Sequence, residues 1–334
     1  MRRKPPLKIK KREDSTSIFK EYYSDIPFYD KFIHHSDGAV DVIIPIIHTN
    51  ELWEANLKSF YREIPINRLL IGDGGCIDDS LKIVKKFPRV KIFNHKKYVS
   101  LGYSIRKLIE EVKTEWFIYP HSDVYLPKGW FEKMRSYQPK LDWFGCPQRF
   151  TVLAEYDLID KIRPYAGSQM GRKEAFLGNL NKIDDDYVYR QEDFVFTELV
   201  EKNGFKHGKV EDTFHYHQMM HKKSPFGRKI KNVKLEVEIE EHEKLREVET
   251  QARGVVKYLK PTGFLQACVE SNLIYLIEKN KTSIREFKQW AKDVNPEWAN
   301  YIKPYRIVSA MLLNKITTRL KKTFNGLRGN RRRF

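Results

Sequence analysis

The sequence predicts an α/β fold with a mostly parallel sheet flanked by helices, followed by a helical C-terminal extension. Over residues 40–124, apolar runs without a helical period alternate four times with segments of helical spacing, and the connections are short. From about residue 224 onward, long segments rich in Glu and Lys replace these runs. A chain of 334 residues is long enough for one large domain or two.

We expect three parts along the chain: a basic, partly disordered N-terminal segment (1–36), an α/β domain (37–222) and a helical extension (223–334). Predicted strands of the domain are 40–47, 68–71, 90–93, 116–119, 142–146, 206–210 and 213–216, and the small residues at 167–171 form a turn or a strand. Predicted helices are 52–61, 79–87, 101–112, 191–203, 233–256, 263–278 and 305–324. The order of strands and helices favours a sheet in which functional residues lie at the carboxyl ends of the strands.

Positive charge is concentrated in the two tails of the chain. The formal net charge is +18, but residues 1–12 hold seven Lys or Arg and residues 315–334 hold eight, with no acidic residue in either segment. The remaining chain is nearly balanced, with 47 basic and 44 acidic residues. Basic tails of this kind favour an anionic membrane surface or nucleic acid as a partner. No nucleic-acid motif accompanies them, so we do not expect nucleic-acid binding.

The last predicted helix carries an apolar stripe with i+4 spacing. Its members are Val308, Leu312, Ile316, Leu320 and Phe324. The basic residues that flank it are Lys315, Arg319 and Lys322. Such a stripe either packs on the body of the protein or lies in a membrane interface. We favour the membrane because the segment is basic throughout.

Three scattered cysteines, Cys76, Cys146 and Cys268, indicate neither a disulfide framework nor a zinc site. They suit a reducing compartment. The N-terminus lacks the apolar core of a signal peptide, and no apolar run approaches the length of a membrane span. We therefore expect a cytoplasmic protein, peripheral on the inner face of the cell membrane.

The fourth predicted strand ends at Pro120 and is followed by His121, Ser122 and Asp123. Open α/β sheets bind ligands just past the carboxyl ends of their strands. A carboxylate and an imidazole two residues apart can both reach one divalent cation. Alternatively, Asp123 only caps a helix over residues 126–134. This stretch by itself leaves both possibilities open.

The second predicted strand runs into a glycine-rich turn that contains Asp73 and Gly74. Glycines allow the backbone to approach a ligand closely. The Gly-x-Gly-x-x-Gly fingerprint and the phosphate loop that ends in Gly-Lys-Ser/Thr are both absent. The sequence therefore does not predict a dinucleotide fold or a phosphate-loop nucleotidase.

In their order, these motifs resemble the family 2 glycosyltransferases with the GT-A fold. Val-Asp-Val-Ile-Ile-Pro looks like the first strand of that family, which ends near Pro45, and Gly-Asp-Gly-Gly-Cys-Ile-Asp-Asp-Ser looks like its Asp-Gly-Ser-x-Asp-x-Ser turn. Leu-Gly-Tyr-Ser-Ile-Arg-Lys resembles its Gly-x-x-x-Ala-Arg-Asn segment. His-Ser-Asp stands at its Asp-x-Asp, Gln-Glu-Asp-Phe-Val-Phe at its Gly-Glu-Asp-x-Asp-Leu, and His-Tyr-His at its late histidine. The resemblance covers roughly residues 40–220.

The resemblance implies inverting transfer of a sugar from a nucleotide-diphosphate donor, such as a UDP- or GDP-sugar, to a glycan or lipid-linked acceptor. The residues implied to bind the nucleotide sugar are Pro45, Asp73, Gly74, Arg106, His121 and Ser122. The residues implied to hold Mn²⁺ or Mg²⁺ are Asp123, His215 and His217. The implied general base is Asp193, with Glu192 beside it, in the first turn of the helix predicted at 191–203.

Several residues depart from the family pattern. His121 replaces the first Asp of Asp-x-Asp, and imidazole is a poorer ligand for Mg²⁺ but a better one for Mn²⁺. Lys107 and Ile109 replace the Asn and Gly of the Ala-Arg-Asn segment. His215 and His217 alternate along a strand, so we expect only one of them to enter the site and favour His215. Two alternatives remain: a protein of the same fold that binds nucleotide sugars without turnover, and a nucleic-acid-binding protein that uses the basic tails.

Overall fold

The computed structural model describes residues 38–49, 53–97, 100–152, 157–163, 167–177, 192–219 and 233–330. The N-terminal segment 1–36 and its expected disorder lie outside these residues. The chain divides into two compact units between residues 241 and 242. Each unit is described by itself.

The strands and helices are numbered in chain order. The strands are β1 Val40–Ile46, β2 Ile66–Asp73, β3 Val90–Asn94, β4 Trp116–Pro120, β5 Val124–Tyr125, β6 Trp143–Gly145, β7 Gln148–Val152, β8 Asp157–Arg163, β9 Ser168–Arg172, β10 His207–Lys209 and β11 His215–Met219. The helices are α1 Trp53–Glu63, α2 Ser80–Val84, α3 Leu101–Glu111, α4 Trp130–Arg135, α5 Glu174–Leu177, α6 Glu192–Lys202, α7 Val233–Tyr258, α8 Gly263–Glu278, α9 Ile284–Val294, α10 Pro296–Tyr301 and α11 Pro304–Asn330.

The main sheet of the first unit has the order β10-β6-β9-β4-β1-β2-β3. Strand β9 runs antiparallel to both β4 and β6, and the other pairs in this sheet are parallel. The predicted mostly parallel sheet flanked by helices is thus confirmed. Because β1, β2 and β4 are parallel neighbours, their carboxyl ends meet at one edge of the sheet.

Helices cover both faces of this sheet. Adjacent β1 residues show the arrangement, since Ile44 belongs to a core that includes Leu57 of α1, whereas Ile43 packs with Leu108 of α3. Successive side chains of a strand point to opposite faces, so a strand covered on both faces is mostly apolar. This requirement explains the apolar run 42–46 of β1, which follows the buried and paired Asp41.

A second sheet, with the order β5-β11-β7-β8, stands beside the first. Three of its strands, β5, β7 and β8, were not predicted; β5 has only two residues, and β7 and β8 are strands through their pairing with each other and with β11. The predicted helix 126–134 begins only at Trp130, with Gly129 as its N-cap residue. The alternative that Asp123 caps this helix is therefore wrong.

The second unit is a helical bundle. Its core includes Trp298, Phe287 and Leu273, all fully buried or nearly so. Helices α9 and α10 were not predicted, although a capping box at Ser283 and Glu286 marks the start of α9. No helix within the described residues is long and apolar enough to cross a membrane.

Buried Asp41 anchors the start of the main sheet. Its carboxylate pairs with Arg68 and accepts hydrogen bonds from Asn67 Nδ2 at 2.9 Å and from the Lys113 backbone N–H at 2.7 Å. The Asp41 N–H donates to Thr114 Oγ1 at 2.9 Å. One side chain thus ties β1 to β2 and to the connection between α3 and β4.

We expect Asp41→Ala to lower the free energy of unfolding by about 3 kcal/mol, because it leaves Arg68 and two partly buried donors without their acceptor. Urea denaturation measures this change. The control Glu54→Ala removes the carboxylate of exposed ion pairs with Lys58 and Lys86 and should cost less than about 1 kcal/mol. Equal losses in the two variants would contradict the anchoring role.

At Gly72 in β2, the backbone approaches a buried polar pair. A Cβ atom added there would lie 2.7 Å from His95 Nδ1 and 2.8 Å from Ser104 Oγ, and these two atoms are 2.6 Å apart. Burial lowers the pKa of His95 to about 4, although the nearby Asp73 opposes this effect. His95 is therefore neutral in the folded protein at physiological pH.

Between about pH 6.5 and 4, the unfolded chain takes up a proton at His95 that the folded protein resists, so stability falls as the pH falls. The substitution His95→Asn keeps an amide at the position of Nδ1. We expect it to remove a change on the order of 3 kcal/mol in the free energy of unfolding across this pH window. Denaturation of both proteins across this window measures the difference. Parallel stability curves for wild type and variant would refute the assignment.

Candidate active site

The carboxyl end of β4 places two of the predicted site residues. Pro120, the last residue of β4, is paired with Ser168 of β9, and the His121 N–H donates to the Gly167 carbonyl at 2.7 Å. The pairing thus continues one residue past the strand and fixes the backbone of His121. Asp123 follows two residues later, just before β5.

Strand β11 brings His217 to the same place. Its backbone pairs with Val124 of β5, and its Nε2 lies 3.1 Å from Asp123 Oδ2. The rings of His121 and His217 are 5.8 Å apart, edge to face. One ligand atom from each of His121, Asp123 and His217 lies within 4.8 Å of the others. Residues distant in sequence thus form a compact donor cluster.

This cluster fits a divalent cation. Ligand atoms at about 2.1 Å from one ion lie at most about 4.2 Å apart, so a shift of a few tenths of an ångström would close the site. Burial opposes ionisation of Asp123, but His217 and His121 outweigh it and hold its carboxyl pKa below the usual value. Its side chain is 32% exposed, which leaves access for a ligand.

His215 lies behind this cluster and is completely buried. Its Nδ1 is 2.7 Å from Ser168 Oγ and 3.4 Å from Cys146 Sγ. Burial, reinforced by His217 and His121, lowers the pKa of His215 well below its usual value, so the ring is neutral. The preference for His215 over His217 as the metal ligand is therefore wrong, because His217 is the histidine beside Asp123.

Gly167 makes this arrangement possible. Its φ is +100°, a conformation that favours glycine, and an added Cβ would lie 2.9 Å from His215 Nε2 and 3.0 Å from His217 Nδ1. Both rings therefore lie against this one residue, although they alternate along β11. The sequence shows small residues at 167–171 but does not predict that two histidines pack against Gly167.

Asp73, at the carboxyl end of β2, holds the glycine-rich turn. Its Oδ1 accepts hydrogen bonds from the backbone N–H groups of Gly75 and Cys76, both at 2.9 Å, while Lys96 Nζ lies 4.0 Å from Oδ2. Burial opposes its ionisation, but the bonds from Cys76 and Gly75 outweigh burial and lower the pKa of Asp73. The Gly74 N–H donates to the Ile46 carbonyl at 2.7 Å. An ionised carboxylate is thus fixed at the same sheet edge.

The remaining predicted contacts lie on neighbouring elements. Pro45 of β1 is partly exposed and is paired with Gly72. The guanidinium of Arg106 lies over the Tyr103 ring at 4.3 Å, with its Nε 3.8 Å from Glu110. Its side chain is 14% exposed, less than expected for a residue on a solvated helix surface.

Two residues near the site were not predicted. The Ser122 carbonyl accepts a hydrogen bond at 2.8 Å from Asn56 Nδ2, a fully buried amide on α1. Lys96 places a cation beside Asp73. Asn56 lies among the buried, mostly apolar residues of its helix. A polar residue on such a face is the sequence signal that could have identified it.

Glu192 and Asp193 are the first two residues of α6, so their predicted position in the first helical turn is confirmed. Their side chains lie outside the described part of the structure.

Of the two comparisons with known sequences, one found a match. Residues 41–193 match the family model described as Glycosyl transferase family 2. A comparison with curated protein sequences found no match.

Solved structures resemble the chain weakly. The bifunctional IspDF from Campylobacter jejuni has 14% identity and a TM-score of 0.36, over 51% of this chain and 49% of that chain. S. aureus TarS has 13% identity and a TM-score of 0.41, over 78% and 50%. S. aureus TarS 1–349 in complex with UDP-GlcNAc has 14% identity and a TM-score of 0.42, over 80% and 89%. The chain spans about half the length of the first two proteins.

Similarities with TM-scores below 0.5 assign neither a fold nor an activity to this chain. The family match and the observed sheet are therefore the findings that describe the first unit. The match begins in β1 and ends in the first turn of α6, and it includes the carboxyl ends of β1, β2 and β4. Residues 41–193 are thus similar to glycosyl transferase family 2, and they fold into a mostly parallel, helix-flanked sheet.

Proposed function

We propose that the protein transfers a sugar from a UDP- or GDP-sugar to an acceptor hydroxyl, with inversion at the anomeric carbon and with help from a divalent cation. The observation that supports this most strongly is the cluster of His121, Asp123 and His217 at the carboxyl edge of a family 2 sheet. Nucleoside diphosphates are good leaving groups only when their developing charge is neutralised, and a bound cation supplies that neutralisation.

The donor set favours Mn²⁺ over Mg²⁺. Two of the three clustered ligands are imidazoles, which bind Mn²⁺ better than Mg²⁺. The ionised carboxylate of Asp123 supplies the hard oxygen ligand that both ions accept. A two-histidine, one-carboxylate set leaves other coordination positions for diphosphate oxygens.

The nucleotide is proposed to bind along the neighbouring strand ends. Asp73 is ionised and held in place by its turn, so its outer oxygen can accept hydrogen bonds from a base or ribose. Pro45, Gly74 and Ser122 border the same edge, and Arg106 adds a positive charge on the nucleotide side. The Ser122 backbone is held by Asn56, which keeps the connection between β4 and β5 in one conformation.

The acceptor hydroxyl must lose a proton as it attacks the sugar. We assign this general-base role to Asp193, with Glu192 beside it. The helix start stabilises a carboxylate and lowers its basicity, and a second negative charge nearby restores it. The acceptor is proposed to be a lipid-linked or cell-surface glycan.

A second candidate function is nucleotide-sugar binding without turnover. The observation in its favour is His121, which replaces the first carboxylate of Asp-x-Asp and leaves a weaker Mg²⁺ site. Such a protein would bind the donor but would neither transfer nor hydrolyse the sugar.

We expect one nucleotide from a panel of UDP, GDP, CMP and their sugars to raise the melting temperature, and only when Mn²⁺ or Mg²⁺ is present. A ligand that binds only the folded state stabilises it in this way. Asp123→Ala should abolish the metal-dependent shift, whereas Glu132→Ala, which removes an exposed carboxylate of α4, should retain it. If no nucleotide shifts the melting temperature of the wild type, the transferase proposal fails.

Asp193→Asn should lower kcat by roughly 100-fold or more with little change in the donor-induced melting shift, because a general base acts on the acceptor and not on donor binding. Glu192→Gln should have the smaller effect. Sugar release from the donor, in the presence and absence of candidate acceptors, measures kcat. A wild type that binds donor but never releases sugar would favour the binding protein.

A further inference from the structure

The C-terminal helix α11 has one packed face and one exposed face. Ile307 is fully buried in the core of the second unit, and Met311 packs against that core. Arg306 Nε lies 3.2 Å from Glu270 Oε2 on α8. These contacts fix the rotation of the helix about its own axis.

The opposite face presents apolar side chains to solvent. Their exposures are Tyr305 69%, Val308 46%, Leu312 56%, Leu313 63% and Ile316 55%. Spacing of three and four residues places Tyr305, Val308, Leu312 and Ile316 on one side of an α-helix, with Leu313 beside them. Within the second unit, the described members Val308, Leu312 and Ile316 therefore do not pack into the helical core. A contiguous exposed stripe of this kind indicates an interaction surface.

The basic residues beside and after the stripe indicate an anionic partner. Lys315 is exposed next to the stripe, and residues 315–334 contain eight Lys or Arg and no acidic residue. The same helix continues to Asn330 through most of this basic segment. Apolar side chains beside a cluster of cations match the two layers of an anionic membrane, where acyl chains meet acidic headgroups.

Other partners fit this surface less well. A symmetric contact between two copies through the stripe would bring two strongly basic segments into one assembly, where they repel. Single-stranded nucleic acid needs aromatic side chains on which bases stack, and among the exposed apolar side chains described on α11 only Tyr305 is aromatic.

We propose that the exposed stripe of α11 and the basic segment after it dock the protein on an anionic lipid surface. The helix lies in the interface plane, with Leu312, Leu313 and Ile316 among the acyl chains and the cations at the headgroups. This surface is independent of the donor site, so the two proposals can succeed or fail separately.

Sedimentation of the full chain with vesicles tests the proposal, using phosphatidylcholine with and without phosphatidylglycerol. We expect binding to the anionic vesicles only, weakened at high salt. The triple variant Leu312→Ser, Leu313→Ser and Ile316→Ser should lower the partition coefficient at least about tenfold, since it removes apolar groups that would be buried. The triple variant Lys315→Gln, Arg319→Gln and Lys322→Gln should weaken binding to a similar extent.

A matched control changes two exposed apolar residues outside α11, Leu259→Ser and Phe264→Ser, and should bind like wild type. Melting temperatures close to that of wild type establish that the α11 variants fold. The proposal is overturned if the protein binds no vesicles, binds neutral and anionic vesicles equally, or binds normally after the serine substitutions. It is also overturned if sedimentation velocity shows a dimer that the serine substitutions dissociate, because the stripe then joins two copies.

Discussion

The antiparallel pairing of β9 with β4 is the constraint on which the site depends. It ends at Pro120 and Ser168 and is extended by the bond from His121 to the Gly167 carbonyl. Because Gly167 has no side chain, His215 and His217 of β11 can lie against it. The second sheet thereby meets the edge of the first, and an imidazole from β11 reaches the carboxylate that follows β4.

Three aspartates in the first unit show how surroundings set the role of a carboxylate. Asp41 is buried at the start of β1 and is occupied by an arginine, an amide and a backbone N–H, so it stabilises the sheet. Asp123 is one-third exposed and is bordered by two imidazoles, so it retains a surface for an incoming ligand. Asp73 combines these roles, with one oxygen bound to its turn and the other facing Lys96.

Elements that are determined by neighbouring residues were predicted, and elements that are determined by contacts with distant residues were missed. The strands β1 to β4 and helices α1, α3, α6, α7 and α8 were recognisable because each has enough residues to show its period. Strands β5, β7 and β8 were missed because pairing with distant partners, and not local periodicity, makes them strands. The short helix α4 begins later than predicted, and at the predicted start the Leu126 N–H donates to Ser59 Oγ of α1, a residue distant in sequence. The choice between His215 and His217 failed for the same reason, since alternation along a strand does not say which side faces the site.

The sequence by itself determined the α/β class, the family resemblance and the positions of Asp73 and Asp123 after their strands. These properties depend on local apolar patterns and on motif order, which are present in the linear chain. Only the tertiary structure decided that His217 joins His121 and Asp123, and that the stripe of α11 is exposed. Both facts depend on which residues from distant segments come into contact, and contacts of that kind are set by sheet pairing and helix packing across the fold.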